Sequence, residues 1–318
     1  MNFDYKNIPG MIEEAEQTLL YKSVIDLNLS NETTVVEIGS FFGKSTNCII
    51  EGLIKNKTNK YNKFYVYDSV SADKNGMFAK YIQIYAKKSK TEKLLCENNS
   101  TINFRKVFDF FTENKYKNLI VNEISIKKSI YIDKKKIAFL FIDAPKFYEE
   151  FIQVLEKFFK FVEINGTIIF QDCFYHWSAT LIATIEILFN EGYIEFQSTA
   201  ASSLKVKLIN NINENDVEKI KNIYNSSDIS KLILNLYDRF KSLKMDRKSY
   251  FLNRLLLANV QILFSQGKIT EAKNFSNQIF LSLLENNDKN AANLLKYDLA
   301  ELLKNDFNLR KLYEIDYL

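Results

Sequence analysis

One short segment, Val35–Ser45, constrains the fold of this chain more than any other part of the sequence. It reads as an apolar strand that ends in the acid Glu37, a turn with glycines at 39 and 43, and the start of an amphipathic helix. Because glycine has no Cβ, the backbone of such a turn can approach a ligand closely, and the N–H groups that open the helix face whatever lies over it. The spacing E-x-G-x-x-x-G differs from both the dinucleotide-binding and the P-loop patterns.

Further apolar segments run into acidic or polar residues. They predict strands, in chain order, at 64–68, 119–125, 137–143 and 166–172. Asp68, Asp143 and Asp172 close three of these segments, and the carboxyl ends of strands form the ligand-binding rim of an open parallel sheet. A carboxylate at the end of the second strand suits a ribose diol, because it can accept two hydrogen bonds side by side.

Helix and strand patterns alternate up to about Leu188, beginning with a helix at 12–27. This alternation indicates a parallel sheet with helices on both faces. Two more strand patterns, at 193–198 and 203–208, are joined by residues 199–201. That link is too short for a parallel crossover, so we expect an antiparallel hairpin.

Beyond residue 209 the pattern changes. Residues 210–215 form a polar linker, and no strand pattern follows it. Leucine-rich periodicity predicts helices at 230–243, 248–265, 269–284 and 290–303. We therefore expect a separate, all-helical region at the end of the chain.

The order of these motifs resembles that of class I S-adenosylmethionine (SAM)-dependent methyltransferases. The matching positions are Glu37, Gly39, Gly43, Asp68, Glu123, Ser125, Asp143, Gly166 and Asp172. Within that superfamily the chain is most similar to the small-molecule O-methyltransferase branch, which often shows I-D-G-D-H-x-Y-E and then G-G-x-I-x-x-x-D. The corresponding stretches here are Ile142–Glu149 and Asn165–Asp172.

The resemblance covers roughly residues 11–209. It implies an α/β fold: a Rossmann-like, seven-stranded, mostly parallel sheet that ends in an antiparallel hairpin. We expect a methyltransferase domain at 1–209, followed by an all-helical C-terminal appendage at 210–318.

The resemblance also implies SAM as the cofactor and assigns residues to it. Those expected at its methionine end and the adjacent ribose are Glu37, Gly39, Ser40, Phe41, Gly43, Lys44 and Ser45. Those expected at the ribose hydroxyls are Asp68 and Ser69, and those beside the adenine are Glu123, Ile124 and Ser125. Asp143 is expected to contact the cofactor and to line the acceptor side together with Asp172 and His176.

Deprotonation of the acceptor has two candidate bases. His176, the single histidine, lies between Tyr175 and Trp177 after the fifth strand. A histidine can take a proton from a hydroxyl near neutral pH, although a lone histidine is often structural or simply exposed. Lys146 stands where the relatives have histidine. It needs a pKa lowered by burial to act as a base, and is otherwise a surface lysine at the start of a helix.

The chain departs from the family patterns at two places. Pro145 and Lys146 replace the second acid and the histidine of the first pattern, and Cys173 follows Asp172 where metal-dependent relatives often have another acid or asparagine. Asp143 and Asp172 could still hold Mg²⁺, which accepts few protein ligands and keeps several waters. No third protein ligand is evident.

The long connection at 69–100 has two interpretations. It contains an aromatic-rich stretch, Lys80–Ala86, followed by several lysines. One interpretation is a surface helix with a solvated basic loop. The other is a lid or acceptor-recognition element over the strand ends, suited to an acidic or phosphorylated acceptor.

Composition narrows the classes of protein further. The net charge of +4 is too small to argue for nucleic acid, and no apolar run is long enough to span a membrane. Residues 1–10 lack the pattern of a signal peptide. The three cysteines, Cys48, Cys96 and Cys173, are odd in number and have no metal-binding spacing. We expect a cytoplasmic enzyme.

Three functions remain open from the sequence. The first is O-methylation of a small molecule or glycan hydroxyl. The second is methylation of a protein or peptide that docks on the helical C-terminus, which could also serve a protein partner or a homo-oligomer. The third is a non-catalytic scaffold with a methyltransferase fold, an interpretation favoured by Pro145 and Lys146 but opposed by the retained cofactor residues.

Overall fold

The computed structural model describes residues 8–60, 62–245 and 248–285 of the chain. Within these ranges the strands are β1 (Thr33–Ile38), β2 (Phe64–Asp68), β3 (Ser71–Asp73), β4 (Cys96–Glu97), β5 (Thr101–Asn103), β6 (Leu119–Glu123), β7 (Lys136–Ile142), β8 (Val162–Phe170), β9 (Ile194–Ala200) and β10 (Ser203–Leu208). The helices are α1 (Glu14–Ile25), α2 (Lys44–Lys55), α3 (Met77–Ser89), α4 (Arg105–Thr112), α5 (Tyr148–Phe158), α6 (Ala179–Asn190), α7 (Glu214–Ser226), α8 (Ile229–Ser242), α9 (Lys248–Ser265) and α10 (Ile269–Glu285).

Seven strands form one sheet in the order β6-β2-β1-β7-β8-β10-β9. The pairs from β6 to β8 are parallel, whereas β10 runs antiparallel to both β8 and β9. The predicted Rossmann-like sheet with its terminal hairpin is therefore confirmed. Only Ala201 and Ser202 separate β9 from β10, and Ala201 makes the reversal with a positive φ of 47°.

The central strand β1 lies between β2 and β7 and is buried along its whole length. Parallel strands that are covered on both faces read as continuous apolar runs, which explains the uninterrupted Val35 and Val36. The core around β1 also receives α1 and α2, through Leu20, Val24, Ile49 and Leu53.

The segment between β2 and β6 is a small folded insertion. Its short strands form a second, antiparallel sheet in the order β3-β5-β4. One face of α3 joins a core made of Phe42, Val70, Ala79, Ile82, Ala86, Ile102, Phe104 and Val107. The sequence predicted the helix but not these strands, because strands of two or three residues are too short to show a hydrophobic period.

Some predicted boundaries differ from the structure. β8 ends at Phe170, so Asp172 lies beyond the strand rather than at its end. α7 begins at Glu214, inside the predicted linker. It starts there because Asn213 and Asp216 cap it reciprocally: each side chain accepts a hydrogen bond from the other residue's backbone N–H. The helix predicted at 290–303 lies outside the described residues.

The chain divides into two compact units. The first, which we call the sheet unit, contains both sheets and takes its residues from 1–145, 149–171 and 193–217. The second, the helical unit, takes its residues from 146–148, 172–192 and 218–318. Within the described part of the helical unit, α8 packs against α6 and α9, and α9 packs against α10. No helix in the described ranges has the length and apolarity needed to cross a bilayer.

Candidate active site

The turn between β1 and α2 depends on two glycines. Gly39 and Gly43 both have φ of +86°, a left-handed conformation that other residues adopt only with strain. A Cβ on Gly39 would lie 2.7 Å from the backbone nitrogen of Ala144, and one on Gly43 would lie 2.7 Å from Cγ2 of Thr112. The glycines therefore let the turn pack closely against the protein itself, which the sequence did not predict.

Glu37 is fully buried and ties β1 to the first turn of α2. Its Oε1 accepts a 2.5 Å hydrogen bond from the Ser45 hydroxyl, and its Oε2 accepts one of 2.6 Å from the Thr46 hydroxyl. Burial raises the pKa of Glu37 to about 8; the two hydroxyls oppose this shift, and the negative charges of Asp143 and Asp68 add to it. The side chain thus faces α2, as a helix-capping acid does.

Asp68 closes the glycine turn from the end of β2. Its Oδ2 accepts hydrogen bonds from the backbone N–H of Ser40 (2.6 Å), the Ser40 hydroxyl (3.1 Å) and the backbone N–H of Phe41 (3.1 Å). Its Oδ1 accepts one from the N–H of Val70 at 2.7 Å. Val70 has φ of +45°, which is unusual for a β-branched residue, and this hydrogen bond supports that conformation. Within the described chain Oδ1 accepts only this bond, which leaves it a lone pair for a ribose hydroxyl.

The residues predicted to flank the adenine lie beside Asp68. Glu123 is its register partner on β6, and the backbone N–H of Ile124 donates to the Asp68 carbonyl at 2.8 Å. Glu123 is exposed and accepts a 3.0 Å hydrogen bond from Nδ2 of Asn103. The carbonyl of Ser125 accepts hydrogen bonds within the following turn. These three positions therefore share the carboxyl edge of β2 and β6.

Two other predicted cofactor residues flank the same turn. Lys44 is half-buried at the start of α2, and burial lowers the pKa of its ammonium group. Its stem lies close to Gly10, where an added Cβ would come within 2.8 Å of the Lys44 Cβ. Ser69 is exposed and donates its hydroxyl to the carbonyl of Ser71 at 3.1 Å.

Asp143 completes an acidic edge around the turn. Its backbone N–H donates to the carbonyl of Ile38 at 2.8 Å, which brings the end of β7 alongside the end of β1. The charges of Asp143 and Asp68 both act on the buried Glu37 and help to raise its pKa. A ligand that combines a positive charge with a ribose diol suits Asp68 and Asp143, and SAM, with its sulfonium and ribose, is such a ligand.

An aromatic strip runs from the turn onto α3. Phe41, whose φ is +48°, places its ring 5.4 Å from that of Phe78, 5.8 Å from that of Tyr85 and 5.6 Å from that of Phe104. Phe78 and Tyr81 remain substantially exposed on the same helix. The sequence showed the aromatic stretch but gave no sign that Phe41 contacts it, since that contact depends on the fold of the insertion.

The helical unit contains the other candidate catalytic residues. The ammonium of Lys146 lies 3.1 Å from Oδ2 of Asp172, and both side chains are about one-quarter exposed. An ammonium group paired with a carboxylate in this way has no lone pair with which to take a proton. Asp172 has φ of +56°, and His176 opens a 3-10 turn that ends at Ser178.

The structure gives little support to a metal site. Among the described residues, no three or more His, Cys, Asp or Glu side chains are grouped so as to hold a metal ion. Asp172, one of the two predicted ligands, already binds the Lys146 ammonium. The donor set therefore does not favour Mg²⁺ at this carboxylate.

A match to a known protein family agrees with the geometry of this site. A family described as a methyltransferase domain matches residues 36–173, which span the glycine turn, Asp68, Asp143 and Asp172. No curated protein matches the chain significantly.

Several solved structures are distantly similar. The O-methyltransferase NovP is 14% identical over 63% of this chain and 82% of its own, with a TM-score of 0.45. An O-methyltransferase from Bacillus cereus in complex with SAH is 13% identical over 64% of this chain and 86% of its own, with a TM-score of 0.37. A TDP-rhamnose 3'-O-methyltransferase of calicheamicin biosynthesis is 13% identical over 60% of this chain and 76% of its own, also with a TM-score of 0.37.

The order of the sheet and the glycine turn with its acids agree with this match to a methyltransferase domain. The chain therefore contains a methyltransferase domain, matched over residues 36–173, and the activity that this domain supports is SAM-dependent methylation.

Proposed function

We propose that this enzyme methylates a hydroxyl group on a small molecule or a sugar. The observation that carries the proposal is the pair of acids Asp68 and Asp143 at the glycine turn, within a matched methyltransferase domain. When bound, SAM supplies an electrophilic methyl group on a sulfonium. Asp68 would hold the ribose through Oδ1, while Glu123 and Ile124 would flank the adenine.

Acceptor deprotonation is proposed for His176, which follows Asp172 by four residues. The ion pair between Lys146 and Asp172 supports a role for Lys146 as a fixed cation rather than as a base. Such a cation would stabilise the alkoxide that forms as an acceptor hydroxyl loses its proton. The catalytic roles of Asp143, Asp172 and His176 stay predictions.

The decisive experiment is calorimetric titration of the full chain with SAM and with S-adenosylhomocysteine (SAH). We expect micromolar binding that Asp68→Ala abolishes. Because Asp68 also closes the turn, Asp68→Asn serves as a second variant that preserves the shape and one acceptor oxygen; it should weaken binding without unfolding the protein. A folded wild-type chain that binds neither compound would leave the scaffold hypothesis as the better account.

The alternative of a protein or peptide acceptor needs a test on the full chain. Removing residues 211–318 would strip α8 and α9 from the helical unit, and the ring of Phe174 packs against Phe240 and Phe251 in those helices. A truncated protein could therefore lose activity through disorder around Phe174. An acceptor screen with radiolabelled SAM, comparing sugars and phenols with peptides, avoids this problem.

Three further expectations stay predictions. They are the domain division at 1–209 and 210–318, a cytoplasmic location, and assembly through the C-terminal helices. Cys48, Cys96 and Cys173 form no disulfide with one another in the structure.

A further inference from the structure

A column of stacked side chains in the helical unit joins α9 to the segment that follows Asp172. The guanidinium of Arg254 lies 3.8 Å from the ring centre of Tyr175 and 4.6 Å from that of Tyr250. Tyr175 in turn stacks on Trp177, with ring centres 4.1 Å apart and planes 10° apart. Arg254 is only 5% exposed, so this column is largely removed from water.

The chemistry of the column is specific to arginine. A guanidinium is planar and weakly hydrated, so it can lie between two aromatic rings, whereas a lysine ammonium is a strongly hydrated point charge. Desolvation strengthens the attraction between a cation and the faces of the rings. An Arg254→Lys substitution therefore keeps the charge and loses the stacking.

The segment at 172–178, which we call the loop, is also held from its other side. The ring of Phe174 packs 4.6 Å from Phe251 and 5.7 Å from Phe240. Within the loop, the backbone N–H of Ser178 donates to the carbonyl of Tyr175 at 2.9 Å. Helices α8 and α9 thus contact two consecutive loop residues, Phe174 and Tyr175. The hydrogen bond within the loop stabilises the turn that contains His176.

We infer that Arg254 is a positioning residue for the loop that carries the proposed acceptor-side residues Asp172 and His176. We call the contacts of Arg254 with Tyr175 and Tyr250 the clamp. A role of Arg254 in catalysis rests on the proposed function, whereas the clamp itself does not. Arg254 lies outside residues 36–173, so this role belongs to the C-terminal helices and not to the matched domain. The C-terminal helices then position acceptor-side residues and do not serve as a separate docking domain for a protein substrate.

The chain offers a direct reporter of the clamp, because Trp177 is its only tryptophan. We expect Arg254→Lys to shift the fluorescence emission of Trp177 to longer wavelength and to increase its quenching by acrylamide. The physical reason is that Tyr175 loses its cationic partner and no longer shields one face of the indole. Far-ultraviolet circular dichroism should remain that of the wild type.

Arg239→Lys is the matched control. Arg239 lies on α8 in the same unit and makes two 3.0 Å hydrogen bonds to the carboxylate of Glu186. The same chemical change there should lower the melting temperature and leave the Trp177 spectrum unchanged. Arg254→Met, which fills the space without charge, should reproduce the spectral change of Arg254→Lys.

The outcomes separate the clamp from the proposed function. A folded Arg254→Lys protein with a wild-type spectrum overturns the clamp, and so does an equal spectral shift in Arg239→Lys, which would indicate general loosening of the helices. SAH titration of the same proteins tests the cofactor site. If even the wild type does not bind SAH, the proposed function is overturned. The Trp177 fluorescence result would still decide whether the clamp exists.

Discussion

The glycine turn of the sheet unit and the loop of the helical unit are built in different ways. The turn is held within its own motif by Ser45 and Thr46, which bind Glu37, and from the end of the neighbouring strand β2 by Asp68, which accepts hydrogen bonds from Ser40. The loop is held by side chains from distant helices, with Arg254 as the central one. A site built locally can be recognised from a motif, whereas a site built by tertiary contacts becomes visible only in the fold.

The strongest test of the locally built turn is Gly39→Ala. A left-handed alanine costs about 1–2 kcal/mol, and the clash with the Ala144 backbone should add about 1–3 kcal/mol of overpacking. We expect a large loss of unfolding free energy in urea titrations, together with loss of SAH binding.

Gly267→Ala is the matched control for that change. Gly267 has a similar φ of +73°, but an added Cβ would have nothing within 4 Å. It should lose only the conformational part, about 1–2 kcal/mol. Equal losses in the two variants would contradict the idea that the turn packs tightly against Ala144, just after β7.

The second prediction concerns the pH dependence set by Glu37. Its pKa is about 8 when folded and near the usual value of 4.5 when unfolded, so between these values the folded state holds a proton that the unfolded state has lost. This stabilisation is full below pH 4.5 and is lost as the pH rises through 8. The corresponding slope is at most about 1.4 kcal/mol per pH unit.

Glu37→Gln should remove that slope, since an amide does not titrate. The measurement is the unfolding free energy of both proteins from pH 5.5 to 8.5. The advantage of the wild type over the variant should shrink as the pH rises. Parallel curves would show that burial does not protonate Glu37 in the folded protein.

The sequence allowed the seven-stranded sheet of the sheet unit to be predicted, but not its small second sheet. The positions of Asp68 at the end of β2 and of Asp143 directly after β7 followed from apolar runs that stop at an acid, whereas Glu37 lies inside β1, one residue before its end. The hairpin followed from the length of its link. The directions of the side chains did not follow: whether Asp68 faces the turn or a ligand depends on the backbone conformation of Ser40 and Phe41. No local pattern could connect Arg254 to Tyr175, because residues so far apart in the chain share no period.

The third prediction concerns the ion pair of the helical unit. Lys146→Met removes a cation from a carboxylate that still has some access to water, so the loss of stability should be small, about 1 kcal/mol or less. If Lys146 stabilises an acceptor alkoxide, kcat should fall much more than stability does. Thermal unfolding together with turnover of an acceptor found in the screen would separate the two effects. A melting temperature lowered as far as in Gly39→Ala would mean that the pair holds the loop in place.

The smallest expected effect is that of divalent metal. Asp172 already pairs with the Lys146 ammonium, whose positive charge opposes the binding of Mg²⁺ at the same carboxylate. We expect EDTA to leave SAH affinity and turnover unchanged, and millimolar Mg²⁺ to leave the melting temperature of the wild type unchanged. The Lys146→Met protein sharpens this test because its Asp172 has lost that cation. Stabilisation of the variant alone by Mg²⁺ would show that Lys146 occupies the place of a metal, whereas loss of wild-type turnover in EDTA would restore a metal to the mechanism.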